Sequence, residues 1–167
     1  TASALFDDVI DERVTKLAAS YAASIPALFA KLSEPPLVLS HADWRLDNLF
    51  FTPDGHVVAV DWQLIDRTVG PRDLAYFVSQ SLAVEQPDDY KTAFRIYVDE
   101  LRAHGVAVDE DWAWNMYRYG ALLGFVYPIV AAGALTIEDP RHVELTRSML
   151  VRSVAALHAL DAFDLAL

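Results

Sequence analysis

The fold of this chain is indicated by the stretch His41-Ala42-Asp43-Trp44-Arg45-Leu46-Asp47-Asn48 and by Val60-Asp61-Trp62-Gln63, which follows it. Together they place an Asp at 43, an Asn five residues later and a second Asp a further 13 residues on. That pattern is typical of phosphoryl-transfer sites, in which one carboxylate accepts a proton from the attacking hydroxyl while an amide and a second carboxylate hold magnesium. The sequence therefore predicts a phosphoryl-transfer site built from Asp43, Asn48 and Asp61.

A β-hairpin explains the spacing of these residues. Residues 49–51 and 56–60 are rich in β-forming side chains and flank the turn sequence Thr52-Pro53-Asp54-Gly55. Such a hairpin carries Asn48 at its entrance and Asp61 at its exit, and the first Asp lies in the loop that leads to the same end. The three side chains can then meet at one point, where their oxygen atoms suit a hard cation.

The rest of the chain has mainly helical periodicity. Apolar residues recur every three or four positions from Leu5 to Leu32, and Pro26 is expected to divide this segment into two helices because proline is tolerated only in a first turn. A short apolar run at 37–39 leads into the loop. Further helices are predicted over residues 73–83, 88–104, 109–133 with a kink near Pro128, and from Pro140 towards Asp161. The predicted fold class is mainly α with a small β-hairpin.

Composition narrows the class of protein. At 167 residues, 54% of them hydrophobic, the chain is long enough for one compact domain. A net charge of −11 argues against a nucleic-acid-binding protein, which needs a basic face for phosphate contacts. The chain has no cysteine and its first residues lack the pattern of a signal peptide, so we expect a cytoplasmic protein.

The longest uncharged run, residues 119–137, sets the expectation about membranes. Its length alone does not exclude a membrane-spanning helix, which needs about 20 apolar residues. Charged residues close to both ends, and glycine and proline within the run, favour a buried helix, and no membrane partner is expected. Gly120 and Gly124 lie four residues apart in this run, a spacing that allows close packing between helices.

A third motif, Gly70-Pro71-Arg72-Asp73-Leu74-Ala75-Tyr76, follows the first two along the chain. Together the three motifs resemble those of the aminoglycoside phosphotransferase and choline kinase-like family, which is related in fold to protein kinases. The resemblance implies that residues 1–167 form the carboxy-terminal lobe of a kinase-like phosphotransferase. It also implies ATP as the phosphate donor and a small molecule with a hydroxyl group as the acceptor. Aminoglycosides, choline, amino sugars and lipid-like alcohols are all open as acceptors.

The same resemblance implies a role for each polar residue of the motifs. Asp43 would be the catalytic base or the residue that orients the acceptor hydroxyl, and Asn48 and Asp61 would bind Mg²⁺ and, through it, ATP. His41 would brace the loop through hydrogen bonds without transferring protons. Asp73 would cap its helix and hold the backbone of the loop, because its carboxylate lies at the positive end of a helix.

Arg45 has two interpretations. Related kinases often carry a basic residue at this place, where a planar cation could stabilise charge on the transferred phosphoryl group, and Arg45 would then belong to the catalytic set. Alternatively, Arg45 is a surface residue paired with Asp47. Ala42 stands where the family commonly has glycine. The Trp62-Gln63 pair after Asp61, together with Arg45, resembles the choline-kinase and ecdysteroid-kinase-like branches more than the drug-resistance enzymes.

The half of a kinase that holds the nucleotide is not found in this sequence. The six glycines are scattered, so there is no phosphate-binding glycine cluster, and the lysines lie in predicted helices rather than in strands. We therefore expect the amino-terminal nucleotide lobe to be absent from these residues and to act as a partner. The isolated fragment is expected to bind nucleotide weakly and to be inactive.

Two other functions are open. The chain could be a non-catalytic binding module with a kinase-like fold, although such a module would have no physical reason to retain Asp43, Asn48 and Asp61 together. It could also be a metal-dependent hydrolase built on His41, Asp43 and Asp61, but that function gives Asn48 no role and would be expected to use more histidine ligands. The kinase lobe is the preferred hypothesis.

Overall fold

The computed structural model describes residues 6–82, 85–134 and 139–165. Over these residues the chain is mainly α-helical with small antiparallel β elements, which confirms the predicted fold class. The helices are α1 Glu12–Leu32, α2 Pro71–Ser81, α3 Asp88–Ala103, α4 Glu110–Gly124, α5 Val126–Gly133 and α6 Pro140–Ala159. The strands are β1 Val38–Ser40, β2 Leu49–Phe51, β3 Val57–Ala59 and β4 Asp66–Thr68. The predicted helix boundaries at Leu5 and Ala83 lie outside the described residues.

The predicted hairpin is present as β2 and β3. The two strands pair antiparallel with Leu49 opposite Ala59, and the turn between them contains Gly55 at a φ of +87°, a backbone conformation that glycine adopts without strain. A second antiparallel pair, β1 with β4, was not predicted. Thr68 at the end of β4 is buried and donates a hydrogen bond of 2.7 Å from Oγ1 to the carbonyl of Leu32, the last residue of α1. The end of α1 therefore fixes β4, which in turn pairs with the strand that leads into the loop.

The first helix begins later than predicted and is not divided. It begins at Glu12 because the side chain of Asp11 accepts a hydrogen bond of 2.8 Å from the amide of Val14, as expected of an N-cap residue. Pro26 lies within α1, so the predicted break at this residue is wrong. Proline removes one hydrogen bond to the carbonyl four residues earlier. Here both Pro26 and Ala22 are exposed, so water can solvate the released carbonyl.

The predicted helix over residues 109–133 is two helices in the structure. α4 ends at Gly124 and α5 begins at Val126, with Phe125 between them, so the break comes three residues before the predicted kink at Pro128. The physical cause is the same proline, because Pro128 has no N–H to donate to the carbonyl of Gly124, four residues earlier. α4 lies in the core, with its segment from Gly120 to Gly124 buried, as the sequence predicted. Among the described residues, no helix combines the length and the apolar character needed to cross a membrane.

The core is formed where α1, α2 and α6 pack around α4. α2 and α4 approach closely at Gly120, where an added Cβ atom would lie 2.8 Å from the Cβ of Ala75. Tyr21 of α1 is buried against the same helix and donates hydrogen bonds from its hydroxyl to the carbonyls of Leu122, at 2.7 Å, and Leu123, at 2.9 Å. This packing holds α2, which carries the third motif, in a fixed position beside the loop.

Candidate active site

The backbone of the loop is held by Asp73, in the first turn of α2. Its Oδ1 accepts hydrogen bonds from the Ser40 hydroxyl, at 2.6 Å, and from the Ala42 amide, at 2.9 Å, while its Oδ2 accepts one of 2.7 Å from the His41 amide. Asp73 was predicted to cap its own helix as well, but its carboxylate is directed at the loop. One side chain thus fixes three consecutive residues at the entrance to the site.

His41 is buried beneath the loop, with 1% of its surface exposed. The amide of Asp43 donates to its Nδ1, at 3.3 Å, and Nε2 lies 2.8 Å from the carbonyl of Val60, to which it donates. The rings of Trp44 and Trp62 pack against it, with centroid separations of 5.4 and 4.6 Å. Both imidazole nitrogens are therefore engaged by backbone groups, so His41 ties the loop to the exit of the hairpin and has no nitrogen free to bind a metal or to transfer a proton.

Two residues of the motifs lie in the left-handed region of backbone space. Ala42 has a φ of +64°, and Asp61 a φ of +62°. The value at Ala42 accounts physically for the glycine that related sequences commonly carry at this place, because a Cβ atom disfavours this conformation. Asp61 is exposed and follows Val60, whose amide donates a hydrogen bond of 3.0 Å to the carbonyl of Asn48. The hairpin thus brings the backbones of residues 48 and 60 together, as its predicted geometry requires.

Asp43 lies at the centre of the site. The amide nitrogen of Asn48 donates to the Asp43 backbone carbonyl and to its Oδ2, both at 2.9 Å. The hydroxyl of Tyr76 donates to Oδ1, also at 2.9 Å. Each carboxylate oxygen therefore has one fixed donor, while 14% of the side chain stays exposed and can be reached by a substrate.

Tyr76 is a site residue that the sequence analysis quoted but did not assign. Burial raises the pKa of its hydroxyl strongly, and the hydrogen bond to Asp43 and the negative charge of that carboxylate raise the pKa further, so Tyr76 remains a hydrogen-bond donor. Its ring also packs edge-on against Tyr127, with centroids 5.0 Å apart. A signal was available in the sequence, because residues three apart share one face of a helix and Asp73 was already placed beside the loop.

Arg45 lies near two carboxylates, that of Asp47, which the sequence analysis considered, and that of Asp43. Its Nε lies 3.5 Å from Oδ1 of Asp43, and its Nη1 lies 3.5 Å from Oδ2 of Asp47. The Asp47 side chain is 81% exposed, so its pairing with Arg45 is weakened by water. Arg45 Nε is buried and makes no hydrogen bond within the described residues. The guanidinium group is therefore near the carboxylate of Asp43 but is not fixed to it by a hydrogen bond.

The donor atoms at the end of the hairpin suit a hard cation. Asn48 uses its N–H groups on Asp43, so the atom that it can offer to a cation is its amide oxygen, and Asp61 offers an exposed carboxylate. Magnesium prefers such oxygen ligands and retains several waters. No cluster of three or more His, Cys, Asp or Glu side chains in the described part of the chain is arranged to hold a metal ion. The engagement of both nitrogens of His41 by backbone groups argues against the metal-dependent hydrolase, which would need this residue as a ligand.

A family model described as the ecdysteroid kinase-like family matches residues 3–108. This chain belongs to that family. The match covers α1 to α3, all four strands and every candidate site residue, whereas α4, α5 and α6 lie beyond it. No curated protein and no solved structure shows significant similarity to the chain.

Ecdysteroid kinase-like proteins form a family of kinase-like phosphotransferases, so the kinase-like resemblance seen in the motifs is confirmed at that level. The narrower resemblance to aminoglycoside phosphotransferases and choline kinases is not confirmed. The match agrees with the ecdysteroid-kinase-like branch, one of the two branches that Arg45 and the Trp62-Gln63 pair indicated.

Proposed function

We propose that this chain is the catalytic lobe of a small-molecule kinase that transfers the γ-phosphoryl group of ATP to a hydroxyl group of its acceptor. The observation that carries this proposal is the environment of Asp43, whose carboxylate is fixed by Asn48 and Tyr76 and is still partly exposed. A general base needs an oxygen that is both fixed and within reach of the proton it removes. Membership of a kinase-like phosphotransferase family supports the same class of reaction.

In the proposed reaction, the acceptor hydroxyl transfers its proton to the carboxylate of Asp43 as its oxygen forms a bond to the γ-phosphorus of ATP. The bond from that phosphorus to the bridging oxygen breaks, and ADP leaves with the electron pair. Tyr76 keeps the carboxylate oriented because it donates to Oδ1. Arg45, whose Nε is 3.5 Å from the same oxygen, is close enough to offset negative charge on the transferred group.

We propose that Asn48 and Asp61 hold Mg²⁺, which when bound neutralises negative charge on the triphosphate. Asn48 would then have two tasks, because its N–H groups fix the base and its oxygen faces the cation. A protein ligand that also orients the base couples the position of the cation to the position of Asp43.

The nucleotide is proposed to be held jointly with a further lobe. Kinase-like ATP sites include a lysine carried by a strand. Lys16 and Lys31 lie in α1 and Lys91 lies in α3, so none of the three lysines is on a strand. Residues 1–167 alone are therefore expected to bind ATP weakly and to turn it over slowly if at all.

The test is transfer of radiolabelled phosphate from ATP to a panel of alcohols by the full-length protein, with and without Mg²⁺. We expect transfer to require Mg²⁺, and Asp43→Asn to lower kcat by about 100-fold or more, because a general base contributes roughly 10²–10⁴-fold. Asp99→Asn, an exposed substitution on α3, is the matched control and should leave kcat unchanged. The proposal is wrong if Asp43→Asn keeps wild-type activity. Binding of an alcohol without any transfer would favour the non-catalytic module.

A further inference from the structure

A cleft adjoins the candidate base on the side of α2 and α6. It has a volume of about 230 Å³ and is bordered by the loop that follows Asp43, by α2 and by α6. Tyr76 and Arg45 line this cleft, and both also contact the carboxylate of Asp43. An acceptor molecule bound in the cleft therefore lies beside the two side chains that contact the carboxylate of Asp43.

The two cations that line this cleft differ in their carboxylate neighbours. Arg45 lies 3.5 Å from the carboxylates of both Asp43 and Asp47, which offset its charge. Arg152 has no such neighbour among the described residues, so a negatively charged group of a ligand is favoured beside it and a positively charged group is disfavoured.

Arg152 is the group in the cleft that is suited to bind an anion. Its Nη1 donates a hydrogen bond of 2.9 Å to the carbonyl of Gln80, which holds the guanidinium on the α2 side of the cleft. Within the described part of the chain, no carboxylate lies within 4.0 Å of it, including Glu85 and Glu144 of the adjoining groove. A guanidinium binds a carboxylate through two parallel hydrogen bonds.

The remaining lining fixes the kind of molecule that fits. Leu145, which is 58% exposed, and Met149 lie one helical turn apart on α6 and give the cleft an apolar side. On α2, Gln80 is one turn beyond Tyr76, which corresponds to roughly 6 Å along the helix. Gln80 holds Arg152 through its carbonyl and Tyr76 contacts Asp43 through its hydroxyl, so one face of α2 connects the anion-binding arginine to the candidate base.

We propose that the acceptor of this kinase is a hydroxy acid, whose carboxylate binds Arg152 and whose apolar segment lies against Leu145 and Met149 while its hydroxyl faces Asp43. This rests on the proposed function and narrows it, because cationic acceptors such as amino alcohols are disfavoured in this cleft. α6, which carries Arg152, lies outside the residues that match the family.

The experiment compares three probes of equal length that differ at one end. Binding of 6-hydroxyhexanoate, 1,6-hexanediol and 6-amino-1-hexanol to the 167-residue chain is measured by calorimetry without nucleotide. We expect the acid to bind about threefold more tightly than the diol, since Arg152 is exposed and water weakens an exposed charge pair, and the amine to bind most weakly. Arg152→Gln should remove the preference for the acid and leave binding of the diol unchanged.

Arg95→Gln, an exposed arginine of α3 that bonds to Thr92, is the matched control and should leave all three affinities unchanged. Arg152→Lys, with helicity checked by circular dichroism, keeps the charge and should retain part of the preference. Three results would overturn the proposal. They are binding of the amine as tight as that of the acid or tighter, no binding of any probe, and an unchanged preference for the acid in Arg152→Gln. The assay needs no phosphate transfer, so selective binding of the acid by a protein that fails to transfer phosphate would refute the proposed function alone. Transfer dependent on Asp43 but without preference for the acid would refute this inference alone.

Discussion

The strongest test of how the site is built is the removal of Asp73. Asp73→Ala deletes hydrogen bonds of 2.6, 2.7 and 2.9 Å to three consecutive residues of the loop. Ser40 and His41 are 0% and 1% exposed, so water cannot easily replace the lost acceptor. Hydrogen bonds to a charged group contribute about 1.5–3 kcal/mol each and are not additive. We therefore expect the free energy of unfolding to fall by about 4 kcal/mol, in the range found when a buried charged network is broken.

Two smaller changes at the same place should give a graded series. Ser40→Ala removes one hydrogen bond to Asp73 Oδ1 and should cost about 1 kcal/mol. Asp73→Asn can keep the acceptor at Oδ1, but it places an N–H group against the amide of His41 in place of Oδ2. The lost hydrogen bond and the two N–H groups that face each other should together lower the free energy of unfolding by about 2 kcal/mol.

The series is measured by urea denaturation of the 167-residue chain, followed by circular dichroism, with Asp99→Asn as the control. The slope of the free energy of unfolding against urea concentration should be the same in all variants. Differences in the urea concentration at the midpoint then report differences in stability directly. A loss of less than about 1 kcal/mol in Asp73→Ala, below the contribution of a single such bond, would refute the reasoning. An equal loss in Ser40→Ala and Asp73→Ala would do the same, because the amides would then contribute nothing. If Asp73→Ala does not fold, the other two variants still test the reasoning, because Asp73→Asn should lose more unfolding free energy than Ser40→Ala.

Two further predictions concern the frame around the site. Gly120→Ala should destabilise the chain by about 1–3 kcal/mol, because the added Cβ would lie 2.8 Å from the Cβ of Ala75. Gly124→Ala should be tolerated, because its added Cβ would lie 3.6 Å from its nearest neighbour. Thermal unfolding of the two variants checks this difference. Burial also raises the pKa of the Tyr117 hydroxyl, so the folded chain keeps this proton at a pH where the unfolded chain loses it. Stability should therefore fall as the pH rises above about 10. In urea titrations between about pH 9.5 and 11.5, Tyr117→Phe should reduce the slope of stability against pH by about 1 kcal/mol per pH unit on average, because the full value of about 1.4 applies only where the unfolded tyrosine is completely ionised.

The elements that the sequence predicted well are those specified by local signals. The hairpin follows from a Pro-Asp-Gly turn between two β-forming segments, and the structure pairs Leu49 with Ala59 as that turn requires. β4 was missed because Asp66 and Arg67 are polar and exposed, and this strand is specified by its pairing with β1 and by a hydrogen bond from Thr68 to the end of α1. Nothing within three such residues distinguishes a strand from a loop.

The same distinction applies within the candidate site. The contact between Asp43 and Asn48 spans five residues of one loop, so their spacing was enough to bring them together. Tyr76 is 33 residues from Asp43, and its position depends on how α2 packs against α4. The break at Phe125 was misplaced for a related reason, since the effect of Pro128 falls on a carbonyl four residues earlier.

α2 connects the parts of the site that the motifs leave separate. On one face it carries Asp73, which fixes the loop backbone, and Tyr76, which fixes the carboxylate of the base. One turn further on, the carbonyl of Gln80 holds Arg152 of α6. A shift of α2 would therefore move the loop, the proposed base and the proposed anion-binding arginine together, and the close contact at Gly120 opposes such a shift. A protein that uses this frame for catalysis needs the relative positions of base and acceptor fixed to a fraction of an ångström, which is a stricter demand than binding alone would impose.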